Sequence, residues 1–268
     1  MSILEALVLG TVQGLTEFVP VSSSGHLVVV PELLGWDQPG LTFDVLLHIA
    51  SLIALLIYFS GDLIDITRGW FAKDQGARRL VWLLVLGTVP AAILGLAFGD
   101  YFEEAFTDAR ASAIQIALTA VILFAGEQAL SYHRGRTAVA GDRLRKIPDL
   151  RAPNALMIGS AQAIAILPGI SRSGSTISAG LALSVTRDDA ARFAFLLAIP
   201  ALLGAAIVKV PDYGADAVGF GAGLAGFIAS LLTSYASIWV LIRYLRANSL
   251  YPFAIYCLIA GLVFYFVV

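Results

Sequence analysis

The chain alternates long apolar runs with short polar breaks. Six runs, at residues 41–60, 80–98, 111–130, 190–208, 218–242 and 250–268, are long enough for helices that cross a membrane, which takes about 20 apolar residues. Two further pairs, 4–19 with 27–34 and 154–167 with 176–185, are too short to cross, and a proline and a Ser/Gly-rich tip break each of them. We read each pair as a re-entrant hairpin. The order is then hairpin, three spans, polar segment, hairpin, three spans. The sequence therefore predicts an all-α polytopic membrane protein: one membrane domain made of two repeats, about 1–131 and 153–268, joined by a basic loop at 132–152.

Three crossings is an odd number, so the second repeat starts on the opposite side of the bilayer from the first, as in an inverted-topology repeat. The basic residues test this. Arg68, Lys73, Arg78, Arg79, Arg134, Arg136, Arg143, Arg145, Lys146, Arg151, Arg187, Arg192, Arg243 and Arg246 all fall on one side, and Arg110 and Lys209 on the other. The positive-inside rule puts the larger group in the cytoplasm and both termini outside. Trp36, Trp70, Tyr101, Phe102, Tyr132 and Tyr251 fall near span ends as interfacial aromatics, and Lys209 is expected to snorkel to the surface.

Composition agrees with this reading. Apolar residues make up 59% and charged residues 13% of the 268, against roughly 45–50% and about 25% in soluble domains. No basic residue precedes the first apolar run and no small-residue cleavage site follows it, so that run is read as part of the fold and not as a removable signal peptide. Cys257 is the single cysteine, which excludes an internal disulfide and a cysteine metal cluster. HExxH, Walker A and GxSxG patterns are absent. No nucleic-acid partner is expected.

The chemistry concentrates at the two hairpin tips. The first, QGLTEFVPVSSSGH at residues 13–26, places Gln13 and Glu17 on one helix face, stops the helix at Pro20, and offers Ser22, Ser23 and Ser24 as N-caps of a second helix. The second, AQAIAILPGISRSGST at residues 161–176, repeats that design with Arg172 flanked by Ser171 and Ser173, and with Thr176 beyond. A guanidinium, hydroxyls and a helix N-terminus make a phosphate cradle. Glu17, a carboxylate at membrane depth, must be paired, neutralised or metal-bound. It and Arg172 are expected to face one cavity with substrate or metal between them, with a plain ion pair as the alternative. His26 suits a base, a proton donor or a hydrogen-bonded cap. Asp44 and His48 form an i, i+4 pair, and Glu127 is expected at the interface.

Together QGLTEFVPVSSSGH, PGISRSGSTIS and the FAIY at residues 253–256 resemble the signature motifs of the undecaprenyl-diphosphate phosphatase family, the UppP or BacA-type enzymes, along essentially the whole chain. The resemblance implies a phosphatase of the bacterial inner membrane that is open to the outer leaflet. Its substrate would be undecaprenyl diphosphate, a C55 isoprenoid lipid, recycled as the carrier for cell-wall synthesis. It further implies Glu17, Ser23, His26 and Arg172 as catalytic residues, and Ser22, Ser171, Arg172, Ser173 and Thr176 around the phosphate. The implied cofactor is a divalent cation, Mg²⁺ or Ca²⁺, on Glu17 and Gln13. Many members carry Glu where this chain has Gln13, and an amide oxygen binds such ions more weakly than a carboxylate. Ser23 is the favoured nucleophile, with His26 as its base and with His26 itself or a water as the other candidates. A transporter or flippase of an anionic isoprenoid lipid would use the same architecture. Homodimerisation and chain-length preference stay open.

Overall fold

The computed structural model describes residues 1–105, 108–140, 143–209 and 218–268. Among these the chain is helical, and its one β feature is an isolated bridge between Arg145 and Val185. The elements are α1 (Ile3–Phe18), α2 (Ser23–Leu34), α3 (Leu41–Tyr58), α4 (Ser60–Phe71), α5 (Gln75–Ala105), α6 (Ala109–Ala140), α7 (Ala152–Ile164), α8 (Arg172–Ala182), α9 (Arg187–Lys209), α10 (Phe220–Leu245) and α11 (Tyr251–Val267). Both expected hairpins are present, as α1 with α2 and α7 with α8.

The two repeats interlock. Helix α1 packs on α10, and its counterpart α7 packs on α5. Each crossing is made by a pair of glycines: a β-carbon on Gly10 would sit 2.2 Å from the Gly226 carbonyl oxygen, and one on Gly159 would sit 2.0 Å from that of Gly87. Small residues let membrane helices approach this closely, so van der Waals contact replaces the hydrophobic drive that lipid removes. Across the pseudo-symmetry α3 meets α9 and α6 meets α11. Ser51 on α3 joins Ser230 and Ser234 on α10 through hydroxyl contacts of 3.2 and 3.0 Å, which satisfies polar groups where no water reaches. The outer face is apolar, with Ile93, Val121, Leu232 and Ile259 all more than half exposed, as lipid contact requires. This is a multi-pass membrane protein.

The structure adds to these expectations in three places. Beyond the run at 41–60 the helix bends by 68° and continues as α4. Asp62, Asp65 and Arg68 alternate there with Leu63 and Ile66, which pack on the core, while Asp62 pairs with Arg192 at 2.5 Å. Such a strip is too polar for the bilayer and too amphipathic to stay unfolded. The basic loop is shorter than expected because α6 carries its polar residues as an exposed helical extension to Ala140. The rest is tied down. Arg143 forks Asp149 at 2.7 and 3.0 Å, holding that carboxyl at about 2, and Arg79 donates to the Pro148 and Leu150 carbonyls.

Glu127, expected at the interface from its place near a span end, is fully buried against its partners there. It accepts a two-pronged bond from Arg187 and, at 2.8 Å, the backbone N–H of Leu250. The pair pins α6, α9 and the start of α11 together. The side chains of Tyr101, Phe102 and Lys209 lie outside the described ones.

Candidate active site

The two tips meet inside the helix bundle. A capping box between Ser2 and Glu5 starts α1, which runs unbroken to Phe18, where Pro20 lies just beyond its end. Ser22 then caps α2 from a left-handed backbone (φ 72°), accepting the Gly25 N–H at 3.3 Å. A non-glycine residue held there is strained, and such strain is characteristic of functional sites. Ser171 caps α8 in the same way, accepting the Gly174 N–H at 3.0 Å. Gly169 carries φ 94° between the arms, and its N–H donates to Ser24 Oγ of the first tip at 3.1 Å. Thr119 on α6 accepts the Ser171 N–H at 3.0 Å and donates to the Gly169 carbonyl. Two helix N-termini are thereby aimed at one point.

Glu17 is the centre of the contact. Its Oε1 accepts from Arg172 of the other hairpin. Its Oε2 accepts the Ser23 hydroxyl at 2.5 Å and the Gln13 amide at 3.1 Å. Glu17 and Arg172 line one cavity, and within it they are joined directly by the ion pair expected as the alternative. The pair has a clear physical basis, because either charge alone at this depth is costly.

Of the roles the sequence left open, His26 takes the hydrogen-bonded one, and His48 is the imidazole that faces the cavity. His26 is spent at both ends: Nδ1 donates to the Ser22 carbonyl at 2.7 Å, and Nε2 accepts from Tyr256 Oη at 2.8 Å. Its ring stacks on Tyr256 with centroids 5.8 Å apart. It therefore braces the first tip against α11 and has no nitrogen facing Ser23. His48 does line the cavity. Its Nδ1 donates to the Asp44 carbonyl at 2.7 Å, which leaves Nε2 directed at Glu17 Oε2, 3.8 Å away. The Asp44 carboxylate is not its partner.

Of the phosphate set, Ser22, Ser171 and Arg172 line the cavity together with Ser23 and Ser24. Ser173 and Thr176 do not. Ser173 bonds Ser171 at 3.2 Å and the Val19 carbonyl at 3.4 Å, and Thr176 donates back to the Arg172 carbonyl at 2.8 Å, so both act by holding the second tip in shape. Sequence reasoning assigns no site role to Tyr256, Thr119 or Gln162, and places His48 only in a pair with Asp44. His48 and Gln162 carry the same signal that marked Glu17, a polar side chain in an apolar helix. Tyr256 lies within the FAIY segment, and Thr119 gave no signal beyond a hydroxyl in a span.

The donor set admits a divalent cation in one way. Among the described residues no three His, Cys, Asp or Glu side chains converge. Gln13 Oε1, however, is buried without a partner beside Glu17. Glu17 and this amide oxygen suit a hard cation that takes its remaining oxygen ligands from phosphate and water.

The cavity, about 450 Å³, is polar at the tips and apolar elsewhere. Ala91, Ala92 and Gly95 of α5 and Ala201, Gly204 and Ala205 of α9 form a slot of small residues, with Leu96 and Val208 at its rim. Fold and site thus define a membrane-embedded protein that receives an anionic head group on an apolar stem. The chain belongs to the family described as bacitracin resistance protein BacA, whose model matches residues 6–263. Among its relatives are the undecaprenyl-diphosphatases of Syntrophotalea carbinolica, 41% identical over 99% of this chain and 98% of the relative, and of Pelobacter propionicus, 40% identical over 97% and 95%. That of Methanosphaera stadtmanae is 38% identical over 98% and 97%.

Proposed function

We propose that this protein hydrolyses undecaprenyl diphosphate to undecaprenyl phosphate and orthophosphate, renewing the lipid carrier of cell-wall synthesis. The observation that carries the reading is the Ser23–Glu17–Arg172 constellation at the head of an apolar slot. A carrier that only moved the lipid would need Arg172 and the helix dipoles, but not a hydroxyl poised on a carboxylate. A cavity of about 450 Å³ is of small-ligand size. It takes the diphosphate and the first prenyl units, and the rest of the chain stays in lipid. Purified protein in detergent should release orthophosphate from undecaprenyl or farnesyl diphosphate. Binding without release would overturn the reading.

In the mechanism, the diphosphate competes for Arg172 and draws the guanidinium away from Glu17. The freed carboxylate takes the Ser23 proton as Ser23 Oγ attacks the terminal phosphorus. Lipid phosphate departs, itself a good leaving group, and the site mainly neutralises charge and aligns the attack. Water then cleaves the phosphoserine, and Glu17 returns the proton to Ser23. A divalent cation, Mg²⁺ or Ca²⁺, held by Glu17 and Gln13 would neutralise phosphate charge. Gln13→Glu replaces the hydrogen bond that the Gln13 amide donates to Glu17 with carboxylate repulsion, which a cation relieves. We expect that variant to melt lower in EDTA than the parent and to gain more from added Mg²⁺ or Ca²⁺. An equal response in both proteins would remove Gln13 from the cation site.

We also assign the basic face to the cytoplasm and the slot to the outer leaflet of the inner membrane, on the charge asymmetry. In a Cys257→Ser background, Asp37→Cys should react with an impermeant thiol reagent in intact cells and Gly135→Cys should not. The reverse labelling would invert the orientation.

A further inference from the structure

Gln162 is 2% exposed, and neither end of its amide has a partner. Of the buried polar groups left unpaired among the described residues, it alone also lines the cavity. An unpaired amide is costly in such a place, and an isosteric methionine would avoid the cost. Its repeat counterpart, Gln13, spends its N–H₂ on Glu17. In the second repeat the position matching Glu17 is Ile166, also on the cavity wall, so Gln162 is left without that partner.

Its place in the cavity indicates the partner. Helices α5 and α7 run in parallel: Gly87 meets Gly159, and further along Gly95 faces Ile166. The tight glycine crossing closes the cavity one turn below Gln162. The other end opens past Leu96, 74% exposed, and Val208, 53% exposed. A prenyl diphosphate whose stem leaves by that mouth puts its terminal phosphate deepest.

Resting on the hydrolase reading, we infer that Gln162 is the ligand of the terminal phosphoryl group and sets the preference for diphosphate over monophosphate. The amide N–H₂ donates to a terminal phosphoryl oxygen, and Oε1 accepts from its hydroxyl or from an adjacent water. A prenyl monophosphate is one phosphate shorter. To reach Gln162 it would have to draw apolar chain past Glu17 and Arg172, so it binds at the tips and leaves the amide unused.

The test measures binding of a prenyl methylene-diphosphonate and the matching prenyl phosphonate to the purified full chain, alongside thermal unfolding. Gln162→Met should weaken the diphosphonate about tenfold, leave the phosphonate within about twofold, and melt no lower than the parent. Gln162→Glu, which sets a negative charge against the same group, should lose more diphosphonate affinity and again spare the phosphonate. Equal loss for both ligands, no loss for either, or a lowered melting temperature in Gln162→Met would overturn the inference. Parent protein that releases no orthophosphate would overturn the hydrolase reading instead, and that outcome is read before any variant is made.

Discussion

Arg172→Lys should lower turnover roughly 10³-fold while the protein stays folded. Lysine keeps the charge that Glu17 needs at this depth, so the buried pair survives. It does not keep the planar fork that holds two phosphoryl oxygens at once, and its stem cannot reproduce the guanidinium's fixed geometry at the start of α8. Removing the charge altogether, as in Arg172→Ala, would leave Glu17 unpaired and cost about 3–5 kcal/mol in stability, so that variant would confuse folding with chemistry. The decisive comparison is kcat for Arg172→Lys against its melting temperature. A variant that turns over normally would make Arg172 a strut between the hairpins and no part of the phosphate site.

Much of this arrangement was legible in the chain because the bilayer restricts what a sequence can do. Pro20 and Pro168 each break an apolar run too short to span, and the lopsided distribution of basic residues favours a hairpin over a single broken crossing. Glu17 and Arg172 stood out because charge at membrane depth is expensive, and the expense explains why they found each other. The sequence was silent wherever the answer depended on which of two polar partners lies nearer in space. Ser23 and His26 are one helical turn apart, which suggests a dyad, yet Tyr256 from α11 takes the imidazole and Glu17 takes the hydroxyl. Glu127 falls near the end of its apolar run, and its partner Arg187 lies sixty residues on, which no local pattern announces. The bend into α4 was hidden for another reason: its apolar spacing is helical, but the segment is too short and too charged to count as a span.

Ser23→Ala should cost at least ~10³ in turnover, and it decides how the bond is cut. The Ser23 hydroxyl sits 2.5 Å from Glu17 Oε2, a base already in place. Serine is a weak nucleophile until a neighbour takes its proton, and the pairing meets that need. His26 does not supply it, because its Nδ1 is held by the Ser22 carbonyl and its Nε2 by Tyr256. Acid quench of the enzyme with labelled diphosphate should therefore trap an acid-stable, alkali-labile phosphoserine, absent from Ser23→Ala. Glu17→Gln keeps the hydrogen bond but removes the base, so it should form that adduct slowly. Tyr256→Phe frees His26 Nε2 without touching Ser23, and should alter stability more than turnover. An acid-labile, alkali-stable adduct would move the attack to a histidine, with His48 the one whose nitrogen faces the cavity. Full activity in Ser23→Ala would leave water as the attacker and reduce Ser23 to a cap on the charge of Glu17.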